Sequence, residues 1–306
     1  MKQLFLPLGL VSAIIVALFL PAGGIFIADN HGLKILVVII FIVSGYQTGT
    51  RGLLLNRGLL FIFPAAALIS LIIAPLLGLC IVKLIDLTLF PAMGLLIISA
   101  VPPTLSSGIV ITDLSGGNTI LALFLTVSLN LLGIFTLPFM LNFCLKAVGP
   151  VDVDQNALLL KMLFFVLLPF ITGKLIRTLL KVHKISANWS YVNSSCVILM
   201  VYASLAVSKN IISDVTAGEY GIIFTAVTLL HILLLLINTG SGKLLRLPLP
   251  DQKALLFVAS QKTLPISIAV LANITCNTGS AIIVCLMFHF MQLLLDSFLA
   301  AFLQKK

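Results

Sequence analysis

The sequence predicts an all-α polytopic membrane protein of about ten transmembrane helices, arranged as two inverted five-helix repeats. Three observations carry that expectation. The 306 residues are 60% hydrophobic and 9% charged, with a mean hydropathy of +1.25, whereas soluble domains carry about 25% charged residues. Apolar runs near the roughly 20 residues that cross a bilayer follow one another with short polar breaks. The spacing of 162 between Pro7 and Pro169 also separates Pro103 from Pro265 and Gly117 from Gly279. Membrane helices also resemble one another without any repeat. If the repeat holds, 1–150 and 151–306 each contain five helices, an odd number, which turns the second unit upside down.

The apolar runs fall near residues 4–27, 33–49, 58–85, 90–112, 119–145, 157–180, 190–208, 219–242, 254–272 and 279–303. The first run follows Lys2 and contains "PAGG", features of a signal peptide. It is longer than a signal core and continues as "IFI", so it reads as the first transmembrane helix. This segmentation puts twelve cations on one face, among them Lys2, Arg51, Arg57, Lys174, Arg177, Lys181, Lys184 and Lys306. The opposite face holds five, Lys34, Lys83, Lys146, Lys161 and Lys209. By the positive-inside bias, both termini are cytoplasmic. Asp29, Asp86, Asp152, Asp154, Asp214 and Glu219 fall on the outer face. The net charge of +9 is spread over loops rather than an aromatic-lined basic stripe, so nucleic acid is not a partner. The five cysteines are scattered, without CxxC or Cys/His metal spacing.

Lys262 lies inside "FVASQKTLPISIAVL" in the ninth run. A helix starting at Ala254 would carry it about 12 Å into the membrane, too deep for its stem to reach either headgroup layer. A charge at that depth costs on the order of 3 kcal/mol and normally faces a polar cavity, a partner or an ion path. In the fourth run, Pro102 and Pro103 remove two backbone donors and should break the helix. Its free carbonyls and the Thr104, Ser106 and Ser107 hydroxyls can then ligate a cation or a substrate; a kink with the serines bonded back is the plainer alternative. Pro265 holds the equivalent place in the second half, and paired interruptions point to a transporter site. Thr126 and Asn130 share a face of the fifth helix. His289 and Asp296 share one of the tenth, where Asp296 is a candidate partner for Lys262, unless it reaches water at the helix end.

No HExxH, GxSxG, P-loop or dinucleotide fingerprint occurs. An intramembrane enzyme and a structural or regulatory membrane protein remain as other classes. Interrupted helices at repeat-related positions favour transport over both.

Over nearly its whole length the chain resembles the bile acid:sodium symporter family. The matching stretches are "PPTLSSGIVITDLSGGN", "KMLFFVLLPFITGKLI", "TLLH" and "PLPDQKALLFVASQKTLPISIAVL". Their Pro-Pro, Ser-Ser and Gln-Lys-Thr-Leu versions are closer to a divergent branch than to the bile-acid carriers. The resemblance implies a panel of helices 1, 2, 6 and 7, a core of helices 3–5 and 8–10, and a crossing of broken helices 4 and 9. It implies that Thr104, Thr263 and His289 line the substrate space. For the ion sites it implies Ser70, Ser106, Ser107, Thr126, Gln261 and Lys262, as ligands or as replacements for one. Departures are Ala122 where a hydroxyl is usual, Ser70 for a glutamine, Val258 at an acidic position and Lys262 at a glutamine. Sodium is thus a possible coupling ion, with Lys262 able to stand in for one.

The expectation is a secondary transporter of the plasma (inner) membrane that moves a small or amphipathic organic anion by alternating access. A proton-coupled or uncoupled carrier is the alternative. No cofactor is expected, and the oligomeric state is left open.

Overall fold

The computed structural model describes residues 2–48, 59–85, 87–149, 154–180, 188–209, 215–272 and 279–304. Every regular element among them is helical. In chain order these are α1 (Lys2–Phe19), α2 (Pro21–Asp29), α3 (Gly32–Gln47), α4 (Leu59–Ala67), α5 (Ala74–Ile85), α6 (Leu89–Ala100), α7 (Ser107–Leu114) and α8 (Thr119–Lys146). They continue as α9 (Gln155–Met162), α10 (Leu168–Leu179), α11 (Asn188–Val207), α12 (Ala217–Leu244), α13 (Leu249–Ser260), α14 (Leu264–Leu271) and α15 (Gly279–Gln304). Among the described residues, six helical stretches are long and apolar enough to cross a membrane, seven if α1 and α2 form one span. The protein is integral to a membrane. The stretches holding Arg51, Arg57, Lys181, Lys184, Lys306, Asp86, Asp152 and Asp214 lie outside the described residues.

Polar caps set several starts. Asn118 accepts from the Leu121 amide at α8, Asp154 accepts from two amides at α9, and Thr216 with Glu219 forms a capping box at α12. Each cap satisfies donors that the first turn leaves unpaired.

The structure corrects four boundary expectations. The first apolar run is not one helix, because α1 and α2 meet at a 98° bend. Pro21 has no amide to continue the ladder, and Leu20 between them leaves helical geometry, its carbonyl taken by the Tyr202 hydroxyl at 2.7 Å. The third run is interrupted by a π turn, Leu68–Ile73, and the sixth by another, Leu163–Leu167. In the ninth run the break lies before Pro265, which sits in the first turn of α14, where a missing amide costs no hydrogen bond.

The described helices pack in two sets. α3 runs along α10, and α11 carries α1, α2 and α3. At the α3–α10 crossing, a Cβ on Gly45 would lie 2.0 Å from the Phe170 carbonyl oxygen, and one on Gly173 1.9 Å from that of Ile42. Only paired glycines allow this main-chain approach. In the second set α6 lies against α15, α12 against α13 and α15, and α7 and α8 against α13. α14 touches members of both sets, α3 and α11 on one side and α6 and α15 on the other.

Candidate functional site

The second set closes around the two interruptions, residues 101–106 and 261–263, which meet directly. The Thr263 amide donates to the Pro102 carbonyl at 3.1 Å. Asn130 Nδ2 takes the Pro103 carbonyl at 2.9 Å, and the Lys262 ammonium takes that of Val101 at 3.1 Å. Three successive carbonyls, released where the prolines bend the chain out of the helix, therefore find partners on other elements. Unpaired buried carbonyls each cost about 1–3 kcal/mol, so these bonds hold the break open as a defined shape.

Lys262 is fully buried. Its ammonium also donates to the Ser70 carbonyl and lies 3.4 Å from Ser70 Oγ. The π turn explains why that carbonyl is free. The Ala74 amide bonds back to Ile69, five residues earlier. The next donor in that register would be Pro75, which has none. On the main-chain side, Gln292 accepts from the Lys262 amide at 2.8 Å and donates to the Lys262 carbonyl at 2.9 Å. The expected pairing of Lys262 with Asp296 is not formed. Asp296 Oδ1 instead meets His231 Nε2 at 2.8 Å, and Oδ2 accepts from Gln261 Nε2 at 2.7 Å, all of them fully buried. Gln261 turns toward α15 and α7 while its neighbour Lys262 turns toward α6 and the π turn, so two adjacent residues serve separate networks.

Gln261 joins the carboxylate to the other break. Its Oε1 accepts from Thr104 Oγ1 and from Ser107 Oγ, both at 2.7 Å, and Ser107 Oγ also contacts Thr104 Oγ1 at 2.7 Å. Ser106 does not join them; it is exposed, and its side chain makes no capping bond at α7. Thr126 Oγ1 and Asn130 Oδ1 are buried without partners on one face of α8. His289 bonds Gln292 through Nδ1 at 3.0 Å and leaves Nε2 unpartnered. Thr263 contributes its main chain, accepting from Ser267 Oγ at 2.9 Å.

Sequence reasoning had assigned no role here to His231 or Gln292. The signal for each was a polar side chain in an otherwise apolar span; both end completely buried, His231 with an edge-on contact to Phe288.

A small cavity of about 30 Å³ lies where the helix sets meet, lined by Leu33, Lys34 and Val37 of α3, by Lys161 and Met162 of α9, by Phe165, and by Ala269 of α14 among others. Thr104, Thr263 and His289 are not among its lining residues.

Two curated relatives are similar along most of this chain. One from Arabidopsis thaliana, named "Probable sodium/metabolite cotransporter BASS4, chloroplastic", is 31% identical over 96% of this chain and 71% of its own length. A protein of the same name from Oryza sativa subsp. indica is 29% identical over 96% of this chain and 74% of its own. The SBF-like CPA transporter family (DUF4137) matches residues 3–305. The chain belongs to the SBF-like CPA transporter family.

Proposed function

We propose that the protein is a secondary transporter that carries a small or amphipathic organic anion across the plasma (inner) membrane by alternating access. The observation that carries this reading is the direct meeting of two interrupted helices, joined main chain to main chain at Thr263 and Pro102 and ringed by buried polar groups. Irregular main chain at membrane depth is tolerated where it lines a site, and such sites lie between repeats in transporters. In this reading the helices form two inverted repeats of five spans, with both termini cytoplasmic. The set of α1–α3 and α9–α11 is the panel and the rest the core, and the two move against each other.

An anion suits the site because α7 and α14 both begin at the crossing, and helix N-termini carry positive partial charge. Lys34 and Lys161 add charge at the cavity between the helix sets. Thr104, Thr263 and the unpartnered Nε2 of His289 are the proposed substrate contacts. Sodium is the coupling ion to test first, given the names of the relatives. The unpartnered oxygens of Thr126 and Asn130, beside the Pro103 carbonyl, are its proposed ligands, with Ser107 nearby on α7. A proton-coupled or uncoupled carrier is the second reading, favoured by the ammonium already seated among oxygens at the crossing. The test is thermal stabilisation of the purified protein across a panel of organic acids, with and without sodium. A ligand at 100 times its dissociation constant stabilises by about 2.7 kcal/mol. Stabilisation by one class of carboxylate or sulfonate supports the reading, and a response to none counts against it.

A further inference from the structure

We infer that the Lys262 ammonium is a built-in monovalent cation that fills a cation position between Ser70 and Val101, so that no metal ion binds there. The inference about this position rests on geometry alone; its consequence, that this position takes up no coupling ion, rests on the transport reading.

The ligands come first. The Ser70 carbonyl is freed by the π turn together with Pro75, which has no amide to donate, and the Val101 carbonyl by the turn-off at Pro102. With Ser70 Oγ they form a set of neutral oxygens, two carbonyls and a hydroxyl, the ligand chemistry of a hard alkali cation. Asp296, fully buried in the same helix set, is engaged by His231 and Gln261 instead. Dipoles without a carboxylate suit a single positive charge. Three oxygens also match the three N–H donors of an ammonium, whereas an uncharged amine has two.

The tether comes second. Gln292 holds both main-chain groups of Lys262, and the side chain is fully buried, so the ammonium keeps one position. With all three donors facing protein oxygens, none remains for a substrate anion. A role as a plain structural brace would use the same contacts, and the two readings part on what happens when the charge is removed. A brace leaves a defect that no ion repairs. A built-in cation leaves a cage that an alkali ion refills.

The experiment measures the thermal midpoint of the detergent-solubilised full chain without substrate, titrating sodium chloride against choline chloride at constant ionic strength. Lys262→Gln and Lys262→Ala are compared with the native protein. Both variants should be destabilised in choline and regain stability in sodium along a saturable curve additional to any response of the native protein. Equal destabilisation in both salts overturns the inference. The native protein needs no variant to fold: its own response should show one sodium at most, and cooperative binding of two or more overturns the inference independently. Because no substrate is present, a failure here is distinct from a failure of the transport reading, which would appear as no organic acid stabilising or being carried.

Discussion

Asp296 and His231 allow a prediction whose size follows from counting unpaired groups. Substituting His231→Leu leaves one oxygen of a fully buried carboxylate without a donor, and each unpaired buried polar group costs about 1–3 kcal/mol or more. Asp296→Leu leaves two donors unpaired, His231 Nε2 and Gln261 Nε2, at about 1–3 kcal/mol each, or about 2–6 kcal/mol together. In the double variant only the Gln261 amide is orphaned, at about 1–3 kcal/mol. The single variants together orphan three groups and the double variant one, so the double variant should be more stable than additivity predicts by at least about 2 kcal/mol. Independent sites add within about 0.3–0.5 kcal/mol, which leaves the coupling well outside measurement error. The assay is a double-mutant cycle on denaturant or thermal unfolding in detergent. Additive single effects would refute the pairing, and so would a double variant less stable than either single one.

Other perturbations address other parts of the account. Gly173→Ala or Gly45→Ala places a methyl against a main-chain carbonyl that no side-chain rotation can relieve; either should lower the thermal midpoint and the yield of folded protein, by more than the roughly 1–3 kcal/mol of ordinary overpacking. Asn118→Ala removes the cap of α8 and a bond to Asp251 at 2.8 Å, with an expected loss of about 1–2 kcal/mol in unfolding measurements. His289→Leu should abolish uptake through loss of the unpartnered Nε2; because it also loses the Nδ1 contact with Gln292, uptake is compared at equal protein incorporation, and unchanged uptake would move the substrate elsewhere.

The membrane character was legible because hydrophobicity is a property of runs, and runs survive small errors of boundary. Pro102 and Pro103 were legible as a break because a missing donor is written in the residue itself. The bend at Leu20 was not, because the apolar run continues through Pro21 and hydropathy does not register direction. The π turn at Leu68–Ile73 was hidden for a related reason: one extra residue per turn does not disturb an all-apolar pattern. The depth of Lys262 could be read from its place in the chain, but its partners could not. Charge reasoning offered a carboxylate, Asp296, whereas the ammonium is held by main-chain carbonyls, which every residue possesses and no sequence marks. His231 sits in a single apolar span of 28 residues, and nothing local indicated that its face meets α15. Ser106 stands apart from the Gln261 network for a local reason, since being next to Ser107 in sequence places it on a different side of the turn, where it is exposed.

The central claim is that substrate crosses at the meeting of the two interrupted helices, and the measurement closest to it is solute counterflow in proteoliposomes. Vesicles preloaded with an unlabelled organic acid that stabilises the protein are diluted into the labelled compound, and uptake is followed for the native chain and for Thr263→Leu, with vesicles lacking protein as the blank. The account predicts saturable uptake that preloading accelerates, and its loss in Thr263→Leu at equal protein incorporation. Native counterflow no faster than in protein-free vesicles, or undiminished counterflow in Thr263→Leu, would contradict it.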